Sequence, residues 1–230
     1  MSIQDYHKEL IINVARGLGD LNKKAVYVGG VVVSLYANDP AAPDVRPTDD
    51  VDITLEITSV GKLEALRQSL EEKGFRQSEQ DDVICRFRYR GIKVDIMGIR
   101  EVGWAPANAW FEPGFDHLQE LDIDGISIKI LSLPYFLASK IAAFHGRAKD
   151  PRTSHDWEDI TYILDNRKEL AEELLAAPEE VLEFLTGEFK NMLDDSSLTE
   201  AIQANLEYAI QSERFAMIEE KLNRVIKNQR

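Results

Sequence analysis

Two short runs fit together as one site and constrain the chain more than anything else in it. They are Tyr27-Val28-Gly29-Gly30 and Arg46-Pro47-Thr48-Asp49-Asp50-Val51-Asp52-Ile53. The first is an apolar strand entering a glycine turn, where backbone N–H groups can come close to a phosphate. The second sets Asp50 and Asp52 two apart in a β-like run, so both carboxylates leave the same face. A later apolar strand, Gly91-Ile92-Lys93-Val94-Asp95-Ile96-Met97, carries a third acid at Asp95. An ionised carboxylate flanked by apolar residues needs a cation or several donors. Taken singly, Gly-Gly is a plain turn and Asp-x-Asp a solvated loop. Taken together and in this order, three carboxylates beside a glycine turn suit a hard divalent cation, Mg²⁺ or Mn²⁺, holding a nucleoside triphosphate.

That order resembles the nucleotidyltransferase superfamily typified by DNA polymerase beta, whose pattern is Gly-Gly or Gly-Ser opening a helix, an Asp-x-Asp strand, and a third acid on a later strand. Arg46-x-Thr48-x-Asp50-x-Asp52 is similar to the form found in the AbiEii-type toxin branch. Leu133 to Phe144, with Lys140 in its middle, resembles that branch's helix bearing an essential lysine. His155-Asp156-Trp157-Glu158-Asp159-Ile160 resembles its following acidic helix. The resemblance runs in order over residues 25 to 165. It departs at Val31, where a small or hydroxylated residue often follows Gly-Gly, and in the longer loop from Asn38 to Pro47. Val31 offers no side-chain contact to phosphate, whereas backbone contacts remain open.

The resemblance implies an α+β fold, a nucleotidyltransferase-like mixed sheet with flanking helices, followed by a C-terminal helical region. It implies attack by an acceptor hydroxyl on the α-phosphorus of an NTP, with pyrophosphate leaving. In that scheme Asp50, Asp52 and Asp95 are the metal ligands, and with Asp156 the catalytic candidates. Gly29, Gly30, Arg46, Thr48 and Lys140 are the nucleotide-binding candidates. Asp95 either supports a second metal or acts as general base. Lys140 either lifts its ammonium to water or sets a point charge on the triphosphate, the latter across the junction between the two regions. Asp156 and Asp159 either complement a helix dipole, activate the acceptor, or hold Lys140. Candidate acceptors are an RNA end such as tRNA, a protein or a small molecule; an antitoxin protein is a candidate partner.

Composition narrows the field. The formal net charge of −14 disfavours long nucleic acid as a loosely held substrate, since such affinity rests on neutralising phosphates. Two local basic groups stand against that background: Arg86, Arg88, Arg90 and Lys93, then Arg147, Lys149 and Arg152. The first also reads as a solvated strand face, because its arginines alternate with Phe87 and Tyr89. No apolar run is long enough to span a bilayer, and no signal pattern opens the chain. With one cysteine, Cys85, internal disulfides are excluded, and cytoplasm is the default.

Periodicity predicts helices over 3–21 and 60–73, the latter stopped by Gly74, and strands over 25–28, 51–57, 83–89, 92–99 and 126–130. Gly30 opens a helix through Tyr36, Arg90-Gly91 is a hairpin turn, and the aromatic stretch from Trp104 to Phe115 is irregular or a short hairpin. Its aromatics serve as core, as lid packing or as a base-stacking platform. From Pro134 the pattern is helical throughout, with Ser197-Leu198-Thr199-Glu200 as a capping box. The composition shift divides the chain into a nucleotidyltransferase-like α/β domain, 1–131, and a helical domain, 132–230. Helices from about Lys168 are expected to serve architecture or acceptor choice. No phosphate loop, dinucleotide fingerprint, His-Glu-x-x-His or Gly-x-Ser-x-Gly is present. Two other readings stand beside the enzyme: a catalytically silent member that binds nucleotide or protein, and a helical interaction protein whose N-terminal part is scaffold.

Overall fold

A computed structural model describes residues 1–147 and 150–228. Lys149, one of the basic candidates, lies outside the described residues. The chain divides into two compact units, Met1–Val32 with Arg46–Ser132, and Val33–Val45 with Leu133–Arg230.

The first unit is built on a six-stranded mixed sheet in the order β3-β4-β2-β1-β6-β5. Its strands are β1 (Val26–Val28), β2 (Asp50–Leu55), β3 (Arg86–Tyr89), β4 (Ile92–Gly98), β5 (Leu118–Ile123) and β6 (Ile126–Leu131). β2 runs parallel to β4 and antiparallel to β1, while β1 runs parallel to β6. Helix α1 (Ile3–Leu18) presents Leu10, Val14 and Leu18 at helical spacing, all buried, and packs across β2, β4 and β6. Ser2 caps it with a reciprocal capping box to Asp5. Helix α2 (Val60–Glu72) ends before Gly74, whose φ of 92° only glycine adopts cheaply.

Two tight hairpins fix the sheet edges. At Arg90-Gly91, φ is 50° and 86°; at Asp124-Gly125 it is 51° and 79°. Paired positive φ values are those of a type I′ turn, whose twist matches that of the flanking strands. The second hairpin creates β5, which sequence periodicity does not reveal, because Gln119, Glu120 and Asp122 break its apolar pattern. β3 begins at Arg86 and not at Val83, and the segment from Gly30 to Tyr36 is 3₁₀. Around Trp104 the chain forms an isolated bridge, Val102 to Ala105, and the single turn α3 (Phe111–Gly114). Trp104 lies 5.8 Å from Phe87, centroid to centroid, as core packing.

The second unit is helical among its described residues: α4 (Leu133–Arg147), α5 (His155–Asn166), α6 (Leu170–Leu175), α7 (Glu179–Asp194), α8 (Ser196–Ala204) and α9 (Gln211–Asn228). Every residue of α4 from Leu133 to Ile141 is buried, the signature of a helix enclosed on all sides. Asp195 caps α8 by accepting from the Ser197 N–H, so the capping box expected at Ser197 is replaced by an Asp cap two residues earlier. Residues 33–45 join this unit through side-chain and backbone ties. Asn166 O accepts from the N–H groups of Asn38 and Asp39, and Tyr36 stacks on Phe136 at 4.4 Å. Arg214 binds Asp39 and Asp165 together. α7 and α9 carry Phe189, Met192, Leu222 and Val225 fully into this core, so a chain ended near Arg167 would strip α4 and α5 of their cover.

Candidate active site

Strand geometry places the acids. In β2 the alternation of side chains sends Asp50, Asp52 and Thr54 to one face. In the parallel ladder with β4, Asp52 stands opposite Asp95 and Asp50 opposite Lys93. In the antiparallel ladder with β3, Asp95 stands opposite Arg86. One face of three adjacent strands therefore carries Asp50, Asp52, Asp95, Lys93 and Arg86.

The glycine turn meets this face. β1 pairs Val28 with Asp52, and Gly29 follows with φ 74°. A Cβ on Gly29 would lie 1.8 Å from Asp52 Oδ2 and 2.8 Å from its Cβ. One on Gly30 would lie 2.5 Å from Arg46 Nη2. The absence of side chains is what lets the turn lie against the acid on one side and the guanidinium on the other. Val31 is fully buried and takes no part in this surface.

Strand entry is pinned separately. The Thr48 hydroxyl donates to Asp50 Oδ1 at 2.5 Å, and its backbone N–H donates to His7 Nε2 at 3.2 Å. His7 is completely buried on α1. No motif in the sequence includes His7; its place in the apolar register of α1 is its only sign.

Arg86 is the largest addition. Its Nε donates to Asp95 Oδ1 and its Nη2 to Asp95 Oδ2, both at 2.7 Å, and Nη2 lies 3.5 Å from Asp50 Oδ2. The Asp95 hydrogen bonds hold the guanidinium pKa above its usual value. With side-chain exposure of 17%, Arg86 is not part of a solvated strand face. Its neighbour Arg88, at 40%, forms its own bidentate pair with Asp81. Burial, with the Asp95 charge second, pushes the Cys85 thiol up to about 11, which leaves it protonated at neutral pH.

Among the described residues no three His, Cys, Asp or Glu side chains converge as a metal cage. A magnesium ion does not require one, because it is ordinarily held by one or two carboxylates with water and substrate phosphates. Asp50 and Asp52, both hard oxygen donors beside the glycine turn, fit that demand. Asp95, already engaged through both oxygens, fits it less well.

In the helical unit, Lys140 is the one charged residue within the buried part of α4. Its Nζ donates to Asp159 at 2.6 Å and to Asp156 at 3.3 Å, and Arg147 also pairs with Asp156. Asp159 is 1% exposed and Asp156 4%. Ser154 caps α5 by accepting from the Trp157 N–H, which sets both aspartates on the first turns of the helix. The two aspartates thus hold Lys140 in place.

Comparison with known proteins gives the chain a family and a fold. A family model described as the nucleotidyl transferase AbiEii toxin of a type IV toxin–antitoxin system matches residues 15–228. Among solved structures, an antigenic nucleotidyltransferase-like protein from Paracoccidioides brasiliensis is similar with a TM-score of 0.52 at 20% identity, over 91% of this chain and 97% of that one. JHP933 from Helicobacter pylori is similar with a TM-score of 0.50 at 14% identity, over 98% of this chain and 93% of that one. At such identities these likenesses speak for a shared fold. A search of curated proteins finds no match. No described helix is long and apolar enough to cross a membrane.

Proposed function

This chain belongs to the AbiEii nucleotidyltransferase toxin family, and on that footing we propose that it transfers a nucleoside monophosphate from an NTP to a hydroxyl acceptor, with Mg²⁺ or Mn²⁺. The observation that carries this reading is the contact of Gly29 with Asp52 on the face that also bears Asp50, with Arg46 beside Gly30. A phosphate chain laid along the turn would meet backbone N–H groups and a guanidinium, with two carboxylates at its reacting end.

In the reaction, the acceptor oxygen forms a bond to the α-phosphorus as the bond to the bridging oxygen of pyrophosphate breaks. A divalent cation held by Asp50 and Asp52 would neutralise charge on the phosphate oxygens. Arg46 supports the phosphates beside Gly30. Thr48 fixes the rotamer of Asp50 through its short hydrogen bond. The acceptor's proton passes to a carboxylate of this face. Lys140 takes the family's essential-lysine role by motif, and Asp156 the role of fixing it. We propose an antitoxin partner on the family reading, and a cytoplasmic location as the default for a chain with one cysteine.

The test is incubation of the purified chain with α-labelled NTPs, Mg²⁺ and a mixture of RNA and protein acceptors, alongside Asp52→Asn. Label moving to an acceptor with release of pyrophosphate, lost in the variant, is the expected result. Nucleotide binding with no transfer to any acceptor would replace this reading with that of a catalytically silent member. The buried Val31, which withholds a side-chain phosphate contact, is the observation that favours that alternative.

A further inference from the structure

Given the transfer reading above, we propose that Arg86 takes the place of a second metal ion, so that the site binds a single divalent cation. Three features of the sheet point there. Asp95 gives both its oxygens to one guanidinium in a bidentate pair at 2.7 Å and 2.7 Å, the strongest geometry available to these groups. The same Nη2 lies 3.5 Å from Asp50 Oδ2, so Arg86 stands between the third acid and the first. Both members are shielded, with side-chain exposure of 17% for Arg86 and 13% for Asp95.

Paired metal ions in transfer sites sit about 3.5–4 Å apart and share carboxylate ligands between them. A second cation here would have to break the bidentate pair and leave a shielded guanidinium beside a doubly charged ion. Lys93, facing Asp50 across the ladder, adds a further positive charge to the same face. The fixed guanidinium supplies what a second ion supplies elsewhere, positive charge beside the reacting oxygens, and it needs no free metal to do so. Arg86 is by this account a positioning and charge-supplying residue.

Metal count decides it, read without turnover. The full chain is mixed with Mn²⁺ and an α,β-methylene nucleoside triphosphate and examined by native mass spectrometry and Mn²⁺ paramagnetic resonance. The wild-type complex should carry one Mn²⁺ with the spectrum of an isolated ion. Arg86→Gln should admit a second, giving an exchange-coupled pair. Arg86→Gln with Asp95→Asn should return to one. Asp95→Asn alone should keep its single ion with less than about a threefold change in affinity, within the spread expected of a neighbouring charge. Two ions in the wild type, loss of the ion in Asp95→Asn, or a folded Arg86→Gln that still holds one would each overturn the inference. Should Arg86→Gln not fold, the wild-type and Asp95→Asn counts decide alone. A nucleotide complex with no Mn²⁺ at all would sink the transfer reading too, whereas two ions would sink only this inference.

Discussion

Gly29 is shaped around Asp52: at φ 74° its missing Cβ would stand 1.8 Å from the carboxylate oxygen and 2.6 Å from the carboxyl carbon. The turn and the acid therefore exclude each other's growth. Gly29→Ala should destabilise the sheet unit by about 2 to 4 kcal/mol, part from the left-handed backbone and part from displacing Asp52. Combined with Asp52→Gly, which also removes the Cβ that would stand 2.8 Å from the added methyl, the loss should shrink toward the backbone share of about 1 to 2 kcal/mol. Urea denaturation of the single and double variants measures the coupling. Additive losses would mean the two residues do not oppose each other.

Asp52→Asn should lower metal-dependent transfer by at least about 10²-fold, several kcal/mol of charge stabilisation. The fold should persist, because one of three neighbouring carboxylates loses its charge. Asp50→Asn should behave similarly in transfer, with a small loss of order at Thr48, whose hydroxyl donates to Asp50. Calorimetric titration with Mg²⁺ and nucleotide, beside circular dichroism, separates binding from folding. Unchanged binding and turnover in both variants would remove the metal assignment.

Lys140→Ala should leave Asp156 and Asp159 without their buried cation. Breaking such a pair from one side destabilises by about 3 to 5 kcal/mol. Lys140→Arg should recover part of this, since a planar fork does not fit a socket built for a compact ammonium. Where the variant folds, the family's essential-lysine role predicts that triphosphate binding weakens more than nucleoside binding. Thermal unfolding gives the first outcome and nucleotide titration the second. A stable Lys140→Ala protein would show that the buried aspartates find other partners.

Cys85 should be slow to react with thiol reagents at neutral pH and fast only after unfolding. Its folded pKa, about 11 against an ordinary 9.0, is raised. Its contribution to stability is thus complete below pH 9 and is lost as pH rises from 9 through 11. The loss amounts to about 2 to 3 kcal/mol. Comparing alkaline stability curves of the wild type and Cys85→Ala isolates it from other alkaline titrations. Identical slopes between pH 9 and 11 would contradict the shift.

The sequence alone determined the chemistry-bearing elements, because their signals are local. Asp50 and Asp52 share a face by the two-residue period of any strand, and Gly74 ends a helix by backbone rules that act within one turn. The division into sheet and helices followed from the loss of alternation after Ile130. The family's order of motifs gave the site its candidate membership. Tertiary structure decided which charges satisfy one another, and this no local pattern can encode. Arg86 alternates with Phe87 like any exposed strand residue; only the β3–β4 ladder puts it opposite Asp95 and makes it an internal counterion. His7 reads as one more residue of an amphipathic helix until Thr48 is brought to it from 41 positions away. Residues 33–45 look like the continuation of the first unit, yet their backbone donors find acceptors on Asn166. A buried polar group must be satisfied wherever the fold offers a partner, and that partner is chosen by the packing of the whole chain.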